Sequence, residues 1–347
     1  MNGHGNSLAF LNSVRYGTQY QNELDTKEAV MRAVQIREFG GPEVLQVYDL
    51  PDPDPGPGEL LVEVARCGVN FADSLLRDDG YIAPTTLPVI PGCEVVGRAP
   101  DGRRVAGMVP SGGYAERVAV PEAHLFDVPD EVDDVEALAL LAQGLTAWWL
   151  INHTTRVQPG ETVVVHAAAG GVGSLAIQLA LLSGAGRVIA AAGTPEKRAV
   201  AITLGADNAV DPAADDLTAE LCAANDGEQI DVVLEMTGGH VTDQSLAALA
   251  PLGRLAFYGM ASGVEPSSVP PHNLQRRSTT VSGFWLKHAL ARPELLAKAY
   301  AELCSLAANG SLRVIHGGDY GMSLVGRAHE HLRDRRTIGK LVLDPSR

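Results

Sequence analysis

The spacing of apolar residues along the chain changes near residue 133. Between residues 31 and 120 the apolar side chains fall in short alternating or continuous runs, such as 44–48 and 60–65, with glycines and prolines between them. The segment 51–58, with four prolines and two glycines, breaks this series and predicts a loop. Short β-branched runs between turn residues are typical of a compact β-barrel-like unit.

After residue 133, strand-like and helix-like patterns alternate. The predicted strands span residues 162–166, 187–191, 230–235 and 254–258, and the predicted helices span 137–150, 172–182, 195–204 and 242–249. Strands joined by helices of this length form right-handed crossovers, so an α/β fold with a doubly wound parallel sheet is predicted. A helix at 293–308 and a strand at 340–343 complete the pattern. Residues 1–30 show neither period, and we expect this N-terminal extension to be poorly ordered.

Composition and charge narrow the function. The 347 residues are enough for two domains. The 27 Lys and Arg against 42 Asp and Glu give a formal charge of −15, which opposes binding to nucleic acid. No apolar run approaches the roughly 20 residues that cross a bilayer, and we expect no membrane association. The four cysteines lie far apart without a CxxC pair, which is typical of a reducing cytoplasm.

A glycine-rich turn follows the strand at 162–166. Gly170, Gly171 and Gly173 let the backbone approach a pyrophosphate without a Cβ in the way, and Val172 lies among them. Ala168 stands where the first glycine of the motif usually falls. The helix that follows offers free N–H groups and the positive end of its dipole to phosphates. The motif therefore predicts a dinucleotide site.

The end of the second strand indicates which dinucleotide binds. NAD-binding units carry an acidic residue there, which holds the ribose 2′-hydroxyl. This chain has Gly193 and Thr194 instead, followed closely by Lys197. Without the acid there is no repulsion toward a 2′-phosphate, and the lysine adds attraction, so the pattern favours NADPH. The alternative is that Lys197 is a solvated charge in the first turn of a helix.

Several motifs together resemble the superfamily of medium-chain dehydrogenases and reductases, from residue 31 to the C-terminus. They are GVNFAD (68–73), GY (80–81), PGCE (91–94), GGYAE (112–116), GLTA (144–147), HAAAGGVG (166–173), GRLAFYG (253–259) and RTIGK (336–340). The resemblance implies a GroES-like catalytic domain of the β-barrel type, in two parts at 31–151 and 289–347. It also implies a Rossmann domain at 152–288, with the active site in the cleft between the two domains.

The metal positions of this superfamily carry different residues here. By motif, the catalytic zinc ligands Cys, His and Cys of its alcohol dehydrogenases fall on Asn70, Cys93 and Gln143. One thiol and two amides make a poor zinc site, because Zn²⁺ needs three strong ligands and an open position. We therefore predict no metal. The pattern is most similar to the zinc-independent quinone oxidoreductases, the zeta-crystallin-like branch, which use NADPH.

The resemblance also assigns residues in the cleft. Tyr81 matches a proton-donating tyrosine of related enoyl reductases, with lining of the pocket as the alternative. Asn70 matches a pocket asparagine that could bind the substrate carbonyl or the nicotinamide amide, with a turn or helix N-cap as the alternative. Two departures, Pro212 and Leu75, fall where some relatives carry tyrosines. The expected cofactor contacts include five further side chains: Lys197, Tyr258, Phe284, Arg335 and Lys340.

The predicted activity is hydride transfer from NADPH to a quinone or an α,β-unsaturated carbonyl, whose conjugated oxygen spreads charge without a Lewis acid. Two alternatives stay open. An enoyl-thioester reductase would need a basic path for a carrier phosphate, for which the sequence offers the pairs 276–277 and 287–288. The other is a cofactor-binding protein with little catalysis. The apolar segment 279–286 predicts an edge strand. Relatives pair this edge with a second subunit, so the resemblance implies a homodimer, with a covered edge in a monomer as the alternative.

Overall fold

A computed structural model describes residues 30–347. The prediction for residues 1–30 lies outside the described residues, except for Val30, which begins a strand. The strands are β1 (Val30–Gln35), β2 (Gln46–Pro51), β3 (Glu59–Val69), β4 (Glu94–Arg98), β5 (Arg104–Met108), β6 (Arg117–Pro121), β7 (Leu125–Asp127), β8 (Thr162–His166), β9 (Arg187–Ala191), β10 (Asn208–Val210), β11 (Ile230–Glu235), β12 (Leu249–Phe257), β13 (Thr280–Gly283), β14 (His316–Gly321) and β15 (Lys340–Asp344). The α-helices are α1 (Phe71–Arg77), α2 (Asp134–Leu138), α3 (Leu145–Trp149), α4 (Gly171–Leu182), α5 (Pro195–Thr203), α6 (Leu217–Ala224), α7 (Gly239–Ala248), α8 (Pro271–Arg277), α9 (Leu286–Ala289), α10 (Pro293–Ala308) and α11 (Val325–Arg333).

Strands from both ends of the described chain form one sheet of seven strands. Its order is β14-β15-β3-β4-β5-β7, and β6 pairs with the first part of β3. The long strand β3 therefore contacts three antiparallel partners, β15, β4 and β6. Alternate side chains of these strands point inward and fill a valine-rich core, which includes Val62, Val95, Val105 and Val120. This is the β-barrel-like unit that the short β-branched runs predict.

The second sheet has six strands and is parallel throughout. Its order is β10-β9-β8-β11-β12-β13. Counted from β8, this is the 3-2-1-4-5-6 order of a doubly wound dinucleotide-binding fold. All five residues of β8 are buried, as expected for a central strand covered on both faces. The predicted α/β fold with a doubly wound parallel sheet is confirmed.

The structure departs from the predicted elements where segments are short, polar or irregular. The helix predicted at 137–150 is α2 and α3 joined by a π-helical turn, Ala139–Gly144, and a second such turn follows at Leu150–Thr154. The predicted edge strand at 279–286 ends at Gly283, and helix α9 follows it. The pattern did not predict eight elements, α1, α6, α8, α9, α11, β7, β10 and β14. No helix within residues 30–347 has the length and apolar composition needed to cross a membrane.

A shared core and a backbone bridge hold the two sheets together. The largest buried cluster contains Val96 and Phe126 from the first sheet and Val165 from the second. Gly170, in the glycine-rich turn, forms a parallel bridge with Gly339, the residue before β15. The turn after β8 therefore lies against the start of β15. This contact places the cleft at the carboxyl ends of the parallel strands, where such folds bind their ligands.

Candidate active site

In the turn between β8 and α4, the backbone at two glycines packs closely against neighbouring atoms. Ala167 has a left-handed φ of +48°, after which the chain enters α4 at Gly171. A Cβ on Gly173 would lie 2.4 Å from the carbonyl oxygen of Ala167, and a Cβ on Gly171 would lie 2.1 Å from the side-chain amide of Gln143. The backbone contact leaves room only for glycine at position 173, whereas a side chain at position 171 would require Gln143 to move.

The N-terminus of α4 has unused hydrogen-bond donors. The N–H groups of Val172 and Gly173 have no acceptor among residues 30–347, whereas that of Gly171 faces the carbonyl of Gly339 in the bridge between Gly170 and Gly339. The two free groups point out of the positive end of a 12-residue helix, which favours an anion. Free donors beside glycines that no Cβ obstructs fit a phosphate group.

Two residues of the predicted motif support the turn itself. The N–H of Gly170 donates to the carbonyl of Ala167 at 2.8 Å, in addition to the bridge with Gly339. Ala168 is fully buried, and its N–H donates to the carbonyl of Ala191 at 3.1 Å. Ala168 therefore holds the turn against β9, and its side chain does not face the cleft.

The end of β9 is open and carries cations. Gly193 is exposed, and a Cβ built on it meets nothing within 4 Å. The hydroxyl of Thr194 accepts from the N–H of Lys197 at 3.3 Å and caps α5. The Lys197 ammonium donates to the carbonyl of Arg335 at 2.5 Å, so these two distant cations lie together. Burial and then the charge of Arg335 lower the pKa of Lys197. Neither cation pairs with a carboxylate within residues 30–347.

An ion pair lies beneath the cleft. The Lys340 ammonium contacts Glu94, and both side chains are fully enclosed. The second carboxylate oxygen of Glu94 accepts from the N–H of Ala142 at 2.8 Å. Ala142 lies in the π-helical turn, which directs this N–H out of the helix. The resemblance placed Lys340 at the edge of the cofactor cleft, but the structure directs its charge to Glu94 instead.

The side-chain amide of Asn70 has its hydrogen-bonding capacity filled. Its Nδ2 donates to Glu94 at 2.6 Å and approaches the sulfur of Cys93 at 3.6 Å. Its Oδ1 accepts from Lys340 at 3.2 Å and from Gln143 at 3.3 Å. An amide offers two donors and two acceptor positions, so none is left over. Asn70 also begins α1, which agrees with the N-cap alternative.

The charged pair decides the orientation of both amides. A lysine can only donate and a carboxylate can only accept, so Oδ1 of Asn70 must face Lys340 and Nδ2 must face Glu94. Gln143 must then present its nitrogen to Oδ1 of Asn70. Its carbonyl oxygen is left buried without a partner in the described part of the chain. That side chain lies against Gly171, where it joins the closed cluster to the glycine-rich turn.

Tyr81 is bonded to a residue that sequence reasoning did not single out. The indole Nε1 of Trp285 donates to the Tyr81 hydroxyl at 3.0 Å, with ring centroids 6.1 Å apart and planes at 77°. Tyr81 follows α1 and Trp285 follows β13, so the bond crosses the cleft. The sequence indicated Trp285 only as part of an apolar edge segment, because nothing local connects residues 204 positions apart.

Tyr258 and Phe284 follow the carboxyl ends of neighbouring parallel strands. The N–H of Tyr258 donates to the carbonyl of Glu235 at 3.0 Å, and burial raises the pKa of its phenol. The ring of Phe284 stacks on Trp149, with centroids 5.9 Å apart and planes at 21°. Both residues therefore lie at the sheet edge that also carries the glycine-rich turn.

Comparison with known proteins decides the family. The family described as alcohol dehydrogenase GroES-like domain matches residues 56–130, and that described as zinc-binding dehydrogenase matches residues 171–303. A quinone oxidoreductase of Pseudomonas aeruginosa is 34% identical over 329 residues, which cover 90% of this chain and 99% of the relative. The chain belongs to the quinone oxidoreductase family of the medium-chain dehydrogenases and reductases.

Solved structures of this family share the fold along the whole described chain. The quinone oxidoreductase of Thermus thermophilus, solved alone and with NADPH, is 38% identical with a TM-score of 0.79 and covers 90% of this chain and 100% of its own. The Escherichia coli enzyme, complexed with NADPH, is 30% identical with a TM-score of 0.85 over the same shares. The predicted GroES-like and Rossmann units are thus confirmed as the fold class.

The three positions that match zinc ligands in other members of the superfamily come together here as Asn70, Cys93 and Gln143. Burial, followed by the charges of Asp73 and Glu94, raises the pKa of the Cys93 thiol well above its usual range. Residues 30–347 contain no group of three or more His, Cys, Asp or Glu arranged to hold a metal ion. Two amides and a thiol that resists ionisation are weak ligands for Zn²⁺.

A buried chain of polar groups continues below Asn70. The Asp73 carboxylate accepts from the N–H of Asn70 at 2.8 Å and from the hydroxyl of Tyr114 at 3.0 Å. Burial raises the pKa of Asp73 to about 6. The Tyr114 hydroxyl also meets Nε2 of His329 at 3.1 Å. Because the single hydroxyl proton goes to Asp73, Nε2 must donate. Burial lowers the pKa of His329 to about 3, so its imidazole is neutral near pH 7 and carries its proton on Nε2. His329 lies 215 positions from Tyr114, and no sequence pattern indicated this contact.

Proposed function

We propose that the protein is an NADPH-dependent reductase that transfers hydride to a quinone or an α,β-unsaturated carbonyl without a metal. The observation that carries this proposal is the open edge of the cleft. It combines free N–H groups at the start of α4 with Lys197 and Arg335, and it has no carboxylate at Gly193 or Thr194. The NADPH complexes of the two relatives support the choice of cofactor. Bound NADPH would supply the hydride.

Each part of the open edge suits one part of this cofactor. The N–H groups of Val172 and Gly173, beside Gly171 with its missing Cβ, would hold the pyrophosphate. Lys197 and Arg335 would hold the 2′-phosphate, with Gly193 and Thr194 leaving room for it. Tyr258 and Phe284 would flank the cofactor farther along the sheet edge, and Ala168 and Gly170 would support the turn from behind.

The residues at the zinc positions support a metal-free reaction. Asn70, Cys93 and Gln143 bond to one another and to the Glu94–Lys340 pair, so their polar atoms are used for positioning. Without a Lewis acid, the acceptors that are easiest to reduce are those that delocalise the developing negative charge onto a conjugated oxygen. Quinones and conjugated enones have this property.

Tyr81 would return a proton to the reduced acceptor. Its oxygen accepts from Trp285, so its own O–H remains free to donate. Burial is the largest influence on its phenol and raises its pKa, which keeps the proton in place near neutral pH until it is needed. Asn70 would act by fixing the floor of the pocket, since its amide has no free position.

The test is NADPH oxidation by purified, EDTA-treated protein with a panel of acceptors: 1,4-benzoquinone, an ortho-quinone, a short enone and crotonyl-CoA, with NADH as the control donor. We expect turnover of at least one acceptor with NADPH and much less with NADH. Saturable NADPH binding without turnover of any acceptor would instead favour a cofactor-binding protein. Activity that disappears with EDTA and returns with zinc would contradict the metal-free proposal.

One observation favours an enoyl-thioester reductase as the second candidate. The Lys287 ammonium lies 5.1 Å from the centre of the Trp285 ring, and His288 packs against the same ring at 5.2 Å. His288 and Arg292 line a pocket of about 380 Å³ that Trp285 also lines. Basic groups at the mouth suit the phosphates of a carrier. A preference for crotonyl-CoA in the acceptor panel would select this candidate.

The edge strand β13 supports a homodimer. It pairs only with β12 in the described chain, and Val281 is 37% exposed on it. An open apolar edge is stabilised when a second copy continues the sheet. Size-exclusion chromatography with light scattering should give twice the chain mass, and a monomer at micromolar concentration would contradict the dimer. A cytoplasmic location stays a prediction, supported by four unpaired thiols.

A further inference from the structure

The hydrogen bond between Trp285 and Tyr81 has a fixed direction. An indole N–H has no lone pair to accept with, so Trp285 donates and the phenol oxygen accepts at 3.0 Å. The proton of Tyr81 is therefore free to leave toward the cleft. If the phenol were bonded to an acceptor such as a carboxylate, its proton would be engaged there.

The indole is itself held in place from several sides. Its ring packs edge-on against His288, and the Lys287 ammonium lies over it. Phe284, the preceding residue, is fixed by its stack on Trp149. Side chains locked by packing keep their geometry through a reaction better than free ones.

We propose that Trp285 is a positioning residue for Tyr81, whose indole N–H aims the phenol and stabilises the phenolate that forms when Tyr81 gives up its proton. This inference rests on the role proposed for Tyr81 in the reduction. In that step the O–H bond of Tyr81 breaks and its electron pair stays on the phenol oxygen. The proton forms a new bond on the acceptor anion made by hydride addition, and water then returns a proton to Tyr81.

The charges around the phenol make the indole bond matter. Burial, and with it the carboxylate of Asp73, opposes a negative charge on Tyr81. The hydrogen bond from Trp285 favours that charge. A donor placed on the oxygen that becomes charged strengthens in the transition state, which is how such groups increase rates.

The direct test follows the Tyr81 phenol without using catalysis. The protein is labelled with 3-fluorotyrosine, and the fluorine resonance that disappears in Tyr81→Phe is titrated by NMR. We expect Trp285→Phe to reduce the acid dissociation constant of this phenol about tenfold, and Trp285→Gln, which restores an N–H donor, to recover part of the loss. An unchanged titration in Trp285→Phe would overturn the inference.

A matched control is available in the same chain. Trp148 also donates through its indole, to Glu302 at 3.2 Å, and makes no hydrogen bond or ring contact with Tyr81 or Trp285 within residues 30–347. We expect Trp148→Phe to leave the titration of Tyr81 unchanged. A shift of equal size in Trp148→Phe would mean that the loss of any buried indole bond perturbs Tyr81, and it would count against the inference.

Kinetics with an enone give the second readout. Trp285→Phe should lower kcat about tenfold and change KM less than about threefold. The double variant Tyr81→Phe with Trp285→Phe should lose no more than Tyr81→Phe alone, because the indole acts through the phenol. If the rate loss of the double variant equals the product of the two single losses, the indole does not act through the phenol. If the native protein reduces no acceptor, the proposed function fails, while the fluorine titration still decides the role of Trp285.

Discussion

The two sides of the cleft differ in how much of their hydrogen-bonding capacity is already used. On the open side, formed by the α4 N-terminus with Lys197 and Arg335, two backbone donors and two cations have no carboxylate or other acceptor side chain in the described chain. On the closed side, formed by Asn70, Glu94, Gln143 and Lys340, nearly every polar atom has a partner.

This difference separates binding from positioning. Unused donors and charges can form hydrogen bonds and ion pairs with a ligand, and these new interactions contribute to its binding free energy. A fully bonded cluster gains nothing from a ligand, but it fixes its own geometry and that of its neighbours. We therefore assign affinity and cofactor choice to the open side, and the shape and rigidity of the pocket floor to the closed side.

The largest effect should come from breaking the closed side. Lys340→Met leaves Glu94 charged and buried, since both side chains are fully enclosed. Losing one partner of a buried pair costs about 3–5 kcal/mol of unfolding free energy. The measurement is urea denaturation. Combining Lys340→Met with Glu94→Gln should recover part of the loss, because the orphaned charge is gone. A loss of less than about 1 kcal/mol of unfolding free energy for the single variant would contradict a tightly bonded closed side.

The next effect is the pH dependence of stability that Asp73 causes through its hydrogen bond to Asn70 on the closed side. Its pKa of about 6 in the folded protein lies above the ordinary 3.8. Stability from this group is therefore full below about pH 3.8 and is lost as the pH rises through about 6. The difference of about two pKa units is worth about 3 kcal/mol. In urea titrations, the free energy of unfolding of Asp73→Asn, measured relative to that of the native protein, should increase by up to this amount between pH 4 and pH 7. A constant difference across that range would show that Asp73 ionises normally.

On the open side, a methyl group at Gly173 should weaken NADPH binding strongly. Its Cβ would lie 2.4 Å from a backbone oxygen, so the turn must shift and its N–H groups would no longer converge. We expect Gly173→Ala to raise the dissociation constant about 100-fold, as followed by protein fluorescence. Gly56→Ala, outside the cleft, is the matched control, because its Cβ meets only the flexible Glu59 carboxylate at 3.3 Å, and it should bind NADPH as the native protein does.

The smallest of these effects concerns the choice between NADPH and NADH. Lys197→Met should weaken the binding of NADPH about tenfold, because one charged hydrogen bond to the 2′-phosphate is lost. The binding of NADH should stay nearly unchanged. Gly193→Asp should lower the preference further by repelling the 2′-phosphate, and Gly193→Asn tests whether charge is responsible. Equal weakening of both cofactors would mean that Lys197 only supports the fold.

The contrast between the two sides also explains what the sequence could predict. The glycine-rich turn, its strand and its helix occupy adjacent residues with fixed spacing, so the local pattern predicts them. The closed side joins residues from 70 to 340, and only the tertiary fold brings them together. The family resemblance implied a place for Lys340 at the edge of the cofactor cleft, and no sequence pattern indicated that Glu94 binds its charge. Trp285 was not recognised, since an indole donor has no sequence signature of its own.

The most direct test of the whole account is the transfer of deuterium from NADPH labelled at C4 of the nicotinamide. The protein is treated with EDTA, its metal content is measured, and the reduced enone or quinone is examined by mass spectrometry and NMR. The account predicts that an enone product carries the deuterium on its β-carbon, with metal far below one ion per chain. An unlabelled enone product, or labelling that appears only after zinc is added, would contradict direct metal-free hydride transfer.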